Sequence, residues 1–272
     1  PIGPLLIWQQ PHPLMYAESI YRERPTRETL EEFAEIVFET AEVMASFAYF
    51  QQEKGRYVLG PPVIPAQECH PAVSTWNPTF ELEYWRWGLE LAQEWRRRMG
   101  YEPDPKWQDV IERLAPLPVG DGVYLAHENC PETFTERNYD HPSMLGALGI
   151  LPGAMVDRDV MRRTLDRVMK EWNWERTWGW DYPMVALTAA RLGAPEIAVD
   201  ALLLKTPKNN YLNNGHNYQR ENLPCYLPGN GGLLLAVAAM AAGWSDAPKV
   251  PAPGFPGDGS WTVRFEGLKP WF

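Results

Sequence analysis

Residues 59–95, LGPPVIPAQECHPAVSTWNPTFELEYWRWGLELAQEW, join a proline-rich loop to the start of a long helix. The loop carries Glu68 after a stiff, apolar approach, which would partly desolvate the carboxyl and suit a general acid, although a solvated carboxylate is an equal alternative. The helical part repeats apolar residues every three or four positions, with Asn77 as expected N-cap, Pro78 as first helical residue and Gly100 as terminator. The stretch is typical of a helical protein whose loops carry its function.

The same helical spacing recurs along most of the chain. One amphipathic helix is expected to begin after Thr26, an N-cap, and to end before Gly55. Further helices are predicted to begin at Asp104-Pro105, Asp157 and Pro195, and to cover residues 182–192 and 231–242, whereas strands are expected only at residues 56–59 and 261–265. The sequence therefore predicts one all-α domain over residues 1–272, a closed toroid of helical hairpins with a short β-like tail near residues 258–272.

Charge and composition narrow the classes of partner. The formal net charge of −10 argues against nucleic acid or an anionic membrane, since both require clustered Lys and Arg. No apolar run approaches the roughly 20 residues that span a bilayer. The five histidines and three cysteines lack metal-type spacing, so we expect no metal ion, no other cofactor and no disulfide framework.

Several loops combine carboxylates with aromatic and amide side chains. Asp140 precedes His141, which suggests either a base with an orienting imidazole or a simple helix cap. Residues 172–181 hold four of the thirteen tryptophans around Glu175, Arg176 and Asp181. Indole rings stack on the apolar faces of sugars, and the amides of residues 208–220 both donate and accept hydrogen bonds, as a polyol requires. The composition favours a carbohydrate groove, with aromatic core packing as the alternative.

The order of these loops resembles that of the six-hairpin glycosidases. The resemblance is closest to the inverting α-L-fucosidase and α-L-galactosidase family and more distant to the maltose-phosphorylase family. The residues that carry it are 60–68 (GPPVIPAQE), 77–80 (NPTF), 140–153 (DHPSMLGALGILPG), 179–181 (GWD), 189–193 (AARLG), 222–224 (NLP) and 229–232 (GNGG). Residues 3–50 are similar to the barrel helices of that family, so the resemblance covers nearly the whole chain.

The resemblance implies an (α/α)6 toroid in which Glu68 is the general acid and Asp140 the carboxylate near the attacking water. Asp181 stands where the fucosidases have a serine, so the base is Asp140 or Asp181. An inverting hydrolase would hold acid and base about 6.5–9.5 Å apart. The sugar would stack on Trp76, Trp178 and Trp180, and its hydroxyls would be held by Asn77, His141, Arg176, His216 and Asn230.

Two alternatives to hydrolysis stay open. A phosphorylase of the same fold would use inorganic phosphate and would need cations or hydroxyls near residues 140–143, and a sugar-binding relative would have lost catalysis. The chain supplies eight or nine of the twelve helices of a full toroid, so we expect an N-terminally truncated chain whose missing hairpins would be its partner. The resemblance favours a secreted or periplasmic protein.

Overall fold

The computed structural model describes residues 3–272, and the described chain is mostly helical. Its α-helices are α1 (His12–Glu23), α2 (Arg27–Phe47), α3 (Thr79–Arg98), α4 (Pro105–Arg113), α5 (Gly146–Gly149), α6 (Arg158–Glu171), α7 (Asp181–Arg191), α8 (Pro195–Leu202) and α9 (Leu227–Ala242). Its strands form three antiparallel pairs, β1 (Tyr49–Gln51) with β2 (Arg56–Val58), β3 (Val119–Gly120) with β4 (Val123–Tyr124), and β5 (Asn210–Tyr211) with β6 (Asn217–Tyr218). This mostly helical structure with few short strands is compatible with the predicted all-α fold, and the toroid stays a prediction.

The chain folds into two compact units. Among the described residues, the first unit comprises residues 3–118 and Leu125–Cys130, and the second comprises Val119–Tyr124 and Pro131–Phe272. The prediction of one domain stays a prediction. Within the described part of the chain, no helix is both long enough and apolar enough to cross a membrane.

Helix α3 forms the core of the first unit, where it packs against α1, α2 and α4. Two of its tryptophans are fully buried, and each indole N–H has a partner: Trp85 donates to the carbonyl of Met44 at 2.8 Å and Trp95 to the Glu18 carboxylate at 2.7 Å. Arg98 pairs with the same carboxylate at 2.6 Å. These tryptophans therefore serve the core, which was the alternative to a sugar groove.

Helix α7 forms the core of the second unit. All eleven of its residues are buried, and it packs against α5, α8 and α9. Small residues allow α5 to approach closely, because a Cβ atom on Gly149 would lie 2.4 Å from Thr188 Oγ1. The Thr188 hydroxyl donates to the carbonyls of Leu145 and Met184, so this polar group is bonded within the contact. Asp181, the first residue of α7, is thereby held on a rigid element.

Most of the predicted helix ends are confirmed. Thr26, Asp104 and Asp157 cap α2, α4 and α6 by accepting backbone N–H groups, and Gly100 follows α3 with a φ of +79°. Asn77 as N-cap of α3 is wrong, because its side-chain oxygen accepts the N–H of Leu59 at 2.9 Å and the cap position belongs to Pro78.

The two strand predictions have different outcomes. The strand predicted at residues 56–59 is confirmed as β2. The one predicted at residues 261–265 is wrong, since this segment has no regular structure. Beyond it, Trp271 forms a single bridge with Trp244. Only that bridge gives the tail near residues 258–272 its β character.

Candidate functional site

Two carboxylates and an imidazole meet in the second unit, although 40 residues separate His141 from Asp181. His141 Nδ1 lies 2.7 Å from Asp181 Oδ1, and His141 Nε2 lies 3.6 Å from Asp140 Oδ1. We call these three side chains the Asp-His-Asp cluster. A carboxylate that bonds one ring nitrogen of a histidine fixes the orientation of the ring and presents the other nitrogen to a reacting group.

The loop of Asp140 is held in an unusual conformation. Asp140 has a φ of +62°, in the left-handed region that aspartate tolerates better than most residues. Its N–H donates to the carbonyl of Arg176 at 3.0 Å, and its carbonyl accepts the indole N–H of Trp172 at 2.9 Å. Trp178 Nε1 donates to Asp140 Oδ1 at 2.8 Å. Residues of the 172–181 loop thus hold both the backbone and the carboxylate of Asp140.

Asp181 is the inner carboxylate of the cluster. Its side chain is 0% exposed, against 15% for Asp140, and its second oxygen accepts the N–H of Trp178 at 2.8 Å. Burial raises the pKa of Asp181, while the neighbouring His141 and the Trp178 N–H act in the opposite direction. Both Asp181 oxygens bond within the protein, so Asp140 is the carboxylate that solvent reaches.

Aromatic rings border the cluster. The Trp180 ring lies 4.5 Å from the His141 ring and the Trp178 ring lies 6.2 Å from it, measured between centroids. Trp178 also packs against Tyr226 at 5.5 Å. Both tryptophans are half-buried residues. These are the two tryptophans of residues 172–181 that were predicted to stack on a sugar.

The loop of residues 172–181 packs closely against amide side chains at Gly179. The Gly179 N–H donates to Gln219 Oε1 at 3.1 Å, and a Cβ atom at Gly179 would lie only 1.7 Å from Asn217 Oδ1. Asn217 in turn donates to the carbonyls of Lys208 and Asn210. These amides, which the sequence suggested as ligands for a polyol, bond to the protein itself.

The remaining predicted sugar contacts of the second unit lie at its surface. Arg176 is exposed, with its guanidinium carbon 3.8 Å from the centre of the Tyr139 ring. His216 is exposed in the turn between β5 and β6 and contacts Asn214. Asn230, in the first turn of α9, accepts the N–H of Asn217 and donates to the carbonyl of Gly215. Asn230 therefore joins α9 to the turn.

Glu68, Trp76 and Asn77 belong to the first unit. Glu68 is exposed, so the partial desolvation predicted for its carboxyl is wrong. Both polar atoms of the buried Asn77 side chain bond within the unit, to Leu59 and to Glu128, which excludes it from the proposed sugar contacts. Trp76 is half-buried and lines a cavity of about 350 Å³ together with Phe47, Tyr49, Gly60, Pro61 and Pro62.

A buried acid that sequence reasoning missed lies under the Glu68 loop. Glu81 is fully buried in the first turn of α3, and its Oε1 accepts the N–H of Ala66 at 2.6 Å. Burial raises the pKa of Glu81 to about 7. Glu83 of the same turn is buried as well, and the sequence of residues 79–85 alone does not show the burial of either glutamate.

One group of side chains in the first unit has metal-binding chemistry. Ligand atoms of His70, His127 and Cys130 lie within 4.8 Å of one another, and imidazole and thiolate are ligands that zinc accepts. His127 Nδ1 accepts the N–H of Asn129, which leaves the ring proton on Nε2, 3.2 Å from His70 Nδ1. A zinc ion bound by that Nε2 would have to displace this proton. The expectation of no metal stays a prediction.

Comparison with known proteins adds no family to these observations. No protein-family model matches the sequence, and no curated protein matches it significantly.

Proposed function

We propose that this chain is a glycoside hydrolase that inverts the anomeric carbon, with its helices belonging to an (α/α)6 toroid. The observation that carries the proposal is the Asp-His-Asp cluster bordered by the half-buried rings of Trp178 and Trp180. Hydrolysis of a glycosidic bond requires a carboxylate base and a surface that holds a sugar ring, and indole faces hold sugars.

Asp140 is the proposed base. A base must reach the attacking water, and Asp140 is the solvent-accessible carboxylate of the cluster. The indole N–H of Trp178 bonds the oxygen that faces His141 and so fixes the direction of the carboxylate. Asp181 acts through His141, which it orients by the 2.7 Å contact with Nδ1.

Glu68 is the proposed general acid. This role rests on the resemblance, because Glu68 stands where the six-hairpin glycosidases have their general acid. The buried Glu81 holds the Glu68 loop through the N–H of Ala66. The sugar would stack on Trp178 and Trp180, and the exposed Arg176 and His216 would donate hydrogen bonds to its hydroxyls.

Hydrolysis of a panel of aryl glycosides by the purified chain, with and without orthophosphate, tests this function. We expect release of the free sugar, and we expect Glu68→Gln and Asp140→Asn each to lower kcat at least 100-fold while ligand affinity changes little. Glu53→Gln and Glu175→Gln are the matched controls, because both glutamates are exposed and lie in the same units.

Three results would contradict the proposal. One is unchanged kcat in both variants, and another is sugar binding with no turnover anywhere in the panel, which indicates a binding relative. The third is release of sugar 1-phosphate only when orthophosphate is present, which indicates a phosphorylase.

A further inference from the structure

Two cations share one tryptophan of the proposed site. Lys208 Nζ and the guanidinium carbon of Arg220 each lie 5.7 Å from the centre of the Trp178 ring. Trp178 is also the residue whose indole N–H bonds Asp140. The pair of cations is therefore one side chain away from the proposed base.

Neither cation has a carboxylate partner. No ion pair in the described part of the chain involves Lys208 or Arg220, although the protein has ten more acidic than basic residues. Lys208 Nζ makes one hydrogen bond, to the carbonyl of Gln219 at 3.2 Å, which leaves two of its three donors. Partial burial and the charge of Arg220 both lower the pKa of Lys208. Two like charges near each other cost free energy unless an anion lies between or beside them.

Packing against an indole does not account for this arrangement. One cation is sufficient for a cation–π contact with the half-buried Trp178. The second cation adds repulsion. The chain brings both to Trp178 from the two sides of the β5–β6 hairpin, Lys208 before β5 and Arg220 after β6.

We propose that Lys208, Arg220 and Trp178 form a subsite for an oxyanion, carried by the sugar itself as the carboxylate of a uronic acid or as a sulfate ester. This substrate class rests on the proposed function of the neighbouring Asp140. The sugar would lie beside Trp178, and the two cations would neutralise its anionic substituent. Free orthophosphate has the same oxyanion chemistry, and the experiment separates the two sources.

Isothermal titration of the full chain measures this directly, with matched pairs of ligands as probes. Each pair consists of a neutral and a charged form of one sugar: glucose with glucuronate, galactose with galacturonate, and galactose with galactose 6-sulfate, each also as a short oligosaccharide. Orthophosphate is titrated separately. We expect the charged member of at least one pair to bind about tenfold tighter, with the preference decreasing as salt increases.

Variants connect the preference to the two cations. Lys208→Met and Arg220→Gln are each expected to remove most of the tenfold preference, whereas Lys208→Arg keeps the charge and restores it. Lys205→Met and Arg264→Gln are the matched controls, since both residues are exposed. Thermal unfolding of each variant establishes that it is folded.

Two outcomes support the subsite and one overturns it. Tighter binding of a charged sugar that depends on Lys208 and Arg220 assigns the oxyanion to the substrate, and binding of orthophosphate with the same dependence assigns it to the free ion. Equal binding of all pairs, with no orthophosphate binding, overturns the inference. If all pairs bind equally but neutral glycosides are hydrolysed, the subsite is wrong and the proposed hydrolase function stands. If charged sugars bind tighter but no glycoside is hydrolysed, the hydrolase function is contradicted and the subsite stands.

Discussion

At the scale of single residues, burial decides what each carboxyl group can do. Glu81 is fully buried with one bonded oxygen, Asp181 is fully buried with two, and Asp140 reaches solvent. Burial without an opposite charge favours the neutral acid, which is why the pKa of Glu81 rises to about 7. Glu81 is thus protonated under mildly acidic conditions and becomes a buried anion as the pH rises.

Glu81 makes the stability of the protein depend on pH. The pKa of Glu81 in the folded protein lies above its ordinary value of 4.5, so its contribution to stability is fully present below about pH 4.5 and is lost as the pH rises through about 7. The unfolding free energy of the native chain should fall by about 3 kcal/mol more than that of Glu81→Gln when the pH is raised from 4.5 to 8. Urea unfolding of both proteins at a series of pH values measures this, with the exposed Glu53→Gln as control. Parallel pH profiles for Glu81→Gln and the native chain would contradict the assignment.

Asp181 is a positioning residue in the proposed mechanism. In Asp181→Asn an amide replaces the carboxylate that faces His141 Nδ1, so the ring loses its charged acceptor and its fixed orientation. We expect kcat to fall about 100-fold or more and KM to change little, as measured on the best substrate of the glycoside panel. A fall in stability with normal kcat in the folded fraction would show that Asp181 only supports the core.

At the scale of elements, the loop of residues 172–181 depends on close contact with the amide side chain of Asn217 in β6. Gly179 and Gly229 both face the Asn217 side chain, and a Cβ atom at either position would overlap with it. We expect Gly179→Ala to destabilise the second unit by about 1–3 kcal/mol and to weaken sugar binding, because the loop carrying Trp178 and Trp180 must move.

Gly231→Ala is the matched control for that substitution. Gly231 lies inside α9 with no heavy atom within 4 Å of an added Cβ, so alanine should stabilise the helix by about 0.5–1 kcal/mol. Chemical denaturation of the two variants gives the comparison. If Gly179→Ala is as stable as Gly231→Ala, the loop is not held as the structure indicates.

Local chemistry was sufficient to predict most helices and insufficient for the Asn77 turn. Thr26, Asp104 and Asp157 bond residues two or three positions away, so their roles follow from the nearby sequence. Asn77 instead bonds Leu59 and Glu128, which are 18 and 51 residues distant. The strand expected at residues 261–265 is absent because nothing in the described structure pairs with that segment.

At the scale of the whole molecule, sequence reasoning identified candidate loops and missed how their residues meet. Asp140, His141 and Asp181 were each identified as candidates, but the arrangement in which His141 contacts Asp181 depends on a contact across 40 residues. Glu81 and the group of His70, His127 and Cys130 were missed, since long-range packing creates their environments. The closed toroid stays a prediction.

The stereochemistry of hydrolysis tests the central claim most directly. Proton NMR of the first turnovers of the best aryl glycoside identifies the anomer that the enzyme releases before mutarotation. A base that activates water at Asp140 predicts a free sugar whose anomeric configuration is opposite to that of the substrate. A product with the substrate's configuration would contradict the account, because it requires a carboxylate nucleophile and a glycosyl-enzyme intermediate.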